Sequence, residues 1–212
     1  ESVVMLKAFR DDPTANPLTT PSGKIEIYST TVASFNYDDC PGHPTWMEPI
    51  EWLGGDIGQY PLHLISNQPK TKLHSQLDHG SHCRAAKIKQ REPIMLHPED
   101  AKTRGLNNGD VVRVFNQRGA CLGGVIIDDQ VMQGVVQMST GAWYDPLQPG
   151  VSGSLCKHGN PNILTPDIGT SQLAQGPISH TCMVQIECFT SELPELTAFD
   201  APEILSDSNL SA

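Results

Sequence analysis

Residues 61–91 read PLHLISNQPKTKLHSQLDHGSHCRAAKIKQR. Leu62 to Ser66 places apolar side chains on alternate positions and above, the pattern of a strand with one buried face. The run breaks at Asn67-Gln68-Pro69, which is turn chemistry. Beyond the break come Lys70, Lys72, Arg84, Lys87, Lys89 and Arg91, with Asp78 the only acid among them and His74, His79 and His82 in the same run. A strand that empties into a basic, amide-rich loop suits an anionic or hydrogen-bonding ligand. Cations and exposed backbone N–H groups hold phosphate, and Asn and Gln bond the edge of a heterocycle. The same composition also describes a solvated basic face.

Outward from this stretch, the chain alternates short strands with turns. Pro93 to Leu96 reads as a strand. HPEDAKTRG (97–105) reads as a compact helix, with Pro98 at its first position, Glu99 and Asp100 at its positive end, Lys102 and Arg104 at its negative end and Gly105 as the stop. Val111 to Phe115 and Cys121 to Ile127 form a hairpin around Asn116–Gly119, and Val135 to Met138 follows the Asp128-Asp129 turn. Residues 139–170 are polar and glycine-rich, and a loop of that length inside a compact domain is more often functional than idle. Thr170 to Ala174 reads as a helical turn, and Thr181 to Cys188 closes the domain as a strand. Many short strands around one small helix favour a mainly β, closed barrel with short helices and long loops.

The first 60 residues are less regular. Residues 1–20 read as loop, with Asp11-Asp12-Pro13 and Asn16-Pro17 as breakers. TPSGKIEIYS (20–29) reads as a turn followed by a strand that packs Ile25 and Ile27, and Thr30 to Phe35 as a short helix. Trp46, Met47 and Trp52 are expected to need cover.

Composition narrows the function. The 212 residues are 38% hydrophobic and 18% charged, with 17 prolines and 18 glycines, as in a turn-rich globular protein. The formal charge of −10 gathers at the two ends. Glu192, Glu195, Asp200, Glu203 and Asp207 lie in a tail without Lys or Arg, expected to trail over the surface, whereas residues 61–189 are nearly balanced. Such a charge argues against nucleic-acid binding. The six cysteines form no C-x-x-C pair, so a zinc ribbon or redox dithiol is not indicated. No apolar run is long enough to span a bilayer. The histidines other than His74 and His180 have no convergent spacing, and no hydrolase or P-loop motif occurs. A start at Glu1 reads as the interior of a longer protein.

Four stretches together carry a resemblance: LISNQPKTKLHSQ (64–76), GDVVRVFNQRG (109–119), MSTGAWYDP (138–146) and GNPNILTPDIGTSQLAQG (159–176). In this order, across Pro61 to about Phe189, they resemble the molybdopterin-dinucleotide-binding domain of the dimethyl sulfoxide reductase family, and within it the trimethylamine N-oxide and biotin sulfoxide reductases. The resemblance implies a six-stranded double-psi β-barrel at 61–189. It also implies that residues 1–60 are the end of a preceding reductase domain with its connector, and that 190–212 are an acidic tail.

What the resemblance implies for chemistry is a bis(molybdopterin guanine dinucleotide) molybdenum cofactor in a full-length enzyme that reduces S- or N-oxides. The family's metal ligand, a serine from an earlier domain in the similar members, has no counterpart here, so the chain alone is expected to be non-catalytic and to ligate no metal. The implied partners are the remaining domains of the parent reductase, a small-molecule S- or N-oxide and a cytochrome as candidate electron donor, with the bacterial periplasm favoured over the cytoplasm.

Cofactor contacts carry over by position to Gln68 and His74, with Asn67, Ser75 and Gln76 beside them. Relatives often have His at the Gln68 position and Arg at the Lys72 position, so charge assistance and a bidentate fork are lost here. Asn162 and Asp167 suit a guanine edge, which offers N1–H and N2–H donors, but Asn and Asp also cap turns. His180 matches a family position near a pterin. On the residues alone, His74 fits either a loop imidazole satisfied by a carbonyl or a donor to a ligand oxygen. Trp143 and Tyr144 suit either cover for a ligand or packing of the loop base. A stand-alone double-psi barrel that binds a nucleotide or a partner is the alternative, since fold does not fix function.

Overall fold

The computed structural model describes residues 2–56, 58–178 and 180–201. The chain forms two compact units, residues 1–48 with 169–176, and residues 49–168 with 177–212.

The first unit is mostly irregular. Its helices are α1 (Lys7–Asp11) and α2 (Thr30–Ala33), neither with a buried residue. Ser29 caps α2 by accepting from Val32 N at 3.2 Å; the helix begins at Thr30 as expected but ends at Ala33, short of Phe35. Helix α1 falls where a loop was expected. Residues 25–28 form no strand, and Ile25 and Ile27 are 72% and 79% exposed. Alternation prepares a strand, but without a neighbouring strand to take up its backbone groups none forms. Trp46 and Met47 are likewise exposed within this chain. Residues 170–174 form no helical turn but a loop closed by Ser171 N to Ala174 O and Thr170 N to Gly176 O.

The second unit holds the barrel. Its strands are β1 (Leu62–Ile65), β2 (Pro93–Leu96), β3 (Val111–Phe115), β4 (Ala120–Ile127), β5 (Val135–Met138) and β6 (Thr181–Cys188). They close in the order β1-β5-β2-β4-β3-β6. β1–β5 and β2–β4 are parallel and the other four pairings antiparallel, a crossed connectivity that a simple meander does not have. Helix α4 (Pro98–Thr103) begins as read, with Pro98 in its first turn, and His97 Nδ1 accepts from Glu99 N at 3.2 Å. Helix α3 (Ser81–Ala85) was not foreseen; five residues give too short a period to stand out.

The core follows the period-2 pattern: Leu62, Leu64, Ile94, Leu96, Val112, Val114, Val125, Val136, Met138, Cys182, Val184 and Ile186 point inward and are buried. Each such aliphatic side chain contributes about 1.5–3 kcal/mol. β4 breaks the pattern, being buried throughout from Ala120 to Val125. Its outer face is covered by the returning chain at 88–92, and a Cβ on Gly124 would lie 2.3 Å from Ile88 Cβ.

Strand directions place the loops. The C-terminal ends of β1, β3 and β5 and the N-terminal ends of β2, β4 and β6 share one rim, because Ile65 pairs with Gln137 and Thr181, and Ile94 with Met138. The long segments 66–92 and 139–168 therefore leave from or return to the same rim, and the segment ending at His180 arrives there. Helix α4 and the 106–110 turn lie at the other rim.

Candidate functional site

Two loops on this rim are joined directly. Thr140 N donates to Asn67 O at 3.0 Å, and Ser139 Oγ donates to Asn67 Oδ1 at 3.1 Å. Ser66 N donates to His180 O at 2.8 Å, and His180 Nδ1 lies 3.3 Å from Ser66 O. Asn67 is thus a pin between the β1 and β5 loops, with His180 beside it. The Ser66 hydroxyl underneath is buried and makes no hydrogen bond among the described residues.

The remaining residues of the first word point outward. Gln68, His74, Ser75 and Gln76 are exposed, and their side chains make no hydrogen bond among the described residues. His74 has a left-handed backbone, φ 51°. Gly141 touches it so closely that a Cβ there would sit 1.8 Å from His74 O.

The second word is held from below. Leu164 O accepts from Asn116 Nδ2 (2.7 Å) and Arg118 Nε (2.6 Å), and Asn116 Nδ2 also reaches Met183 O at 3.1 Å. Arg118 is fixed by Glu51, whose carboxylate also accepts from Met183 N at 2.8 Å. Burial raises the Glu51 carboxyl, but the Arg118 and Met183 bonds outweigh it, and it ionises below its ordinary value. Asn160 caps the 3₁₀ turn Pro161–Ile163 by accepting from Asn162 N at 3.0 Å. The capping role belongs to Asn160, so the Asn162 side chain is left open; Asp167 is exposed and also open. No hydrogen bond among the described residues links these two to the 66–76 loop.

The basic-loop reading needs correction. Lys72 and Lys87 lie under the loop in a buried ring with Asp78 and Glu92. Lys72 Nζ is 3.1 Å from Asp78 Oδ1 and 2.8 Å from Glu92 Oε2, and Lys87 Nζ is 2.9 and 2.6 Å from the same two atoms. Burial opposes the Asp78 charge, yet the Trp143 N–H and the two lysines hold its carboxyl well below the usual carboxylate range. Arg91 donates to the carbonyls of Lys157, Lys89 and Pro194. Three of the six cations therefore fold the loop and are not free for phosphate; a buried charge requires this kind of pairing. Spacing could not reveal the ring, because its partners are 72, 78, 87 and 92.

The tail does not simply trail. Besides the Pro194 contact, Thr197 donates its hydroxyl and backbone N–H to Asp145 at 2.6 and 2.8 Å. Residues 202–212 lie outside the described residues.

Beside the Asn67 pin opens a cleft of about 350 Å³ lined by Asn67, Lys70, Thr71, Met95, Gln137 and Ser139 among others. It combines an amide, hydroxyls and a cation with an apolar floor of Pro93, Met95 and Ile126. Such a lining suits a flat heterocycle with polar edges. Open donors on the rim, the partnerless Ser66 hydroxyl and this cleft fit a pterin-type group. Among the described residues, no cluster of three or more His, Cys, Asp or Glu is placed to hold a metal.

Against known families, residues 62–183 match the one described as "Molydopterin dinucleotide binding domain". The chain belongs to this family. The domain is 50% identical over 196 residues to a trimethylamine-N-oxide reductase of Haemophilus influenzae, covering 92% of this chain and 24% of that protein. It is 48% identical over 195 residues to a dimethyl sulfoxide/trimethylamine N-oxide reductase of Cereibacter sphaeroides, again 92% and 24%. The chain thus spans about a quarter of the length of these relatives. Among solved structures, acetylene hydratase from Pelobacter acetylenicus superposes with a TM-score of 0.64 at 22% identity, over 84% of this chain and 25% of that one; this likeness concerns the fold. No helix among the described residues is long and apolar enough to cross a membrane.

Proposed function

We propose that this domain is the cofactor-binding portion of a molybdenum reductase acting on S- or N-oxides, with residues 61–189 as the binding barrel, 1–60 as the end of a preceding domain and 190–212 as a tail. The observation that carries the reading is that separate sequence words, 66–76, 160–167 and His180, meet one rim of the barrel, where the side chains of Gln68, His74, Ser75, Gln76, Asn162 and Asp167 are open. When bound, the molybdenum cofactor supplies oxygen-atom transfer from the oxide, releasing a sulfide or amine.

This chain's own residues bind and orient. Gln68 and His74 donate to oxygens of a pterin, with Ser75 and Gln76 flanking them. Asn67 holds the loop that carries them. Asn162 and Asp167 meet the guanine, whose N1–H and N2–H suit a carboxylate. His180 stands beside Ser66 at the pterin side. The ion ring and the Glu51–Arg118 clamp keep both words in place, so little ordering entropy is lost on binding.

Oxide reduction requires the other domains of the parent, and the chain alone is non-catalytic. A cytochrome as donor and a periplasmic location follow from the resemblance to oxide reductases.

The test is metal and pterin analysis of the full-length parent, made in a molybdenum-replete host. About one molybdenum and about two guanine nucleotides per chain are expected. A well-folded parent with neither would replace this reading with a stand-alone nucleotide- or partner-binding barrel.

A further inference from the structure

Trp143 sits between the two rim loops, and every polar group it has is engaged. Its backbone N–H donates to Asp78 Oδ2 at 2.9 Å. Its indole Nε1–H donates to Ser75 O at 2.8 Å. Its carbonyl lies 3.0 Å from His158 Nδ1. A carbonyl can only accept, so in the neutral ring Nδ1 carries the proton. The Trp143 ring lies 5.5 Å from His79 and meets Phe199 edge-on at 5.5 Å, and Phe199 meets the buried His158 at 4.9 Å. Asp78, in turn, belongs to the buried ion ring.

The indole bond ends on the backbone of Ser75, the residue next to His74. Gly141, two residues before Trp143, packs against His74 O. The loop after β5 therefore supports the His74–Gln76 segment at two points, and that support is anchored on charges that cannot move without breaking the ring. His74 is held in a left-handed backbone that non-glycine residues rarely adopt. Such a conformation persists only where its surroundings over-determine it.

We propose that Trp143 is a positioning residue for the cofactor: through its indole N–H on Ser75 O, backed by Asp78, it sets where His74 and Gln76 present their polar atoms. This rests on the proposed cofactor reading. It assigns the GAW word a role beyond packing, and it makes the indole N–H, not the ring's bulk, the decisive feature.

The test uses the full-length reductase and Trp143→Phe, which keeps an aromatic ring and both backbone bonds but removes the indole donor. Arg104→Ala is the control. At the opposite rim it removes bonds to Gln185 and to Asp100 O. Loss of one well-placed hydrogen bond predicts a roughly three- to tenfold weaker hold on the cofactor. The readouts are molybdenum and guanine content after dialysis, the molybdenum electron-resonance signal, and the thermal midpoint.

W143F is expected to lose cofactor and shift the signal at a near-native midpoint, whereas R104A keeps both. Gly141→Ala, which drives a methyl into His74 O at a left-handed backbone position, disturbs the same segment from its second support. If W143F does not fold, cofactor loss in G141A at a near-native midpoint keeps the positioning of His74–Gln76 as the cause, and full cofactor content there overturns it. Full cofactor content with a native signal in W143F overturns the proposal. Equal losses in W143F and R104A also overturn it, because the effect would then follow stability alone. A wild-type parent without molybdenum or guanine removes the cofactor reading itself, and the proposal with it.

Discussion

Asn116 donates its side-chain amide to the carbonyl of Leu164 across 48 residues of sequence, at 2.7 Å. One amide at the end of β3 thereby holds the loop that carries Asn162 and Asp167. Asn116→Ala leaves the Leu164 carbonyl to Arg118 alone and strips the second bond to Met183 O. A loss of about 1–3 kcal/mol is expected, read from the midpoint of urea unfolding. Limited proteolysis should open first at 160–168. A cleavage pattern like wild type would mean that Arg118 alone holds the loop.

The buried ring makes a charge-specific prediction. Asp78→Asn leaves Lys72 and Lys87 facing only Glu92, and should cost about 3–5 kcal/mol. Adding Lys72→Met to that variant restores the balance and should recover part of the loss. A double-mutant cycle measures the coupling, and simple additivity would contradict the ring.

Acid sensitivity follows from the same carboxylate. The Asp78 pKa is lower in the folded chain than its ordinary 3.8. Its contribution is therefore complete above that value and is lost as pH falls below it toward the folded value. Acid unfolding of wild type should steepen below about pH 4, and D78N should show a shallower slope there.

His158 titrates in a higher window. Burial first, and Lys87 second, push its pKa below 6.5. The unfolded chain then takes up a proton that the folded chain refuses. Stability is unaffected above that value and falls as pH drops through it toward the folded pKa. Unfolding midpoints at pH 7.5 and 5.5 should differ in wild type. His158→Gln should remove this part of the difference; an unchanged slope would place the titration elsewhere.

Gly124 tests the cover over β4. A Cβ there overlaps Ile88, so Gly124→Ala should destabilise by about 1–3 kcal/mol through overpacking. Ile88→Gly in the same chain removes the Cβ that lies 2.3 Å away and should recover part of it. Lack of recovery would mean that the backbone of 88–92, not the side chain, sets the limit.

Much of the barrel was legible because its signals are local. Val111–Phe115 and Ala120–Ile127 are apolar runs on either side of a turn, and Pro98 and Gly105 punctuate a helix. The Ile25–Tyr28 segment shows the limit: its alternation matches a strand, but no strand pairs with it. Lys72 and Lys87 show the same limit for the site. Their charges read as a ligand surface, while Asp78 and Glu92, six and five residues away respectively, neutralise them inside the fold. His158 looked ordinary in sequence and is buried against Asp78 and Phe199.

The sequence by itself determined the family, the strand-rich class and the words that reach the rim, because hydrophobic period, turn residues and motif order are properties of neighbours along the chain. Only the tertiary structure decided that these words share one rim, that half the loop cations are internal and that Trp143 joins Ser75 to Asp78. Those facts depend on strand direction and on contacts across 65 and 68 residues, which no local pattern encodes.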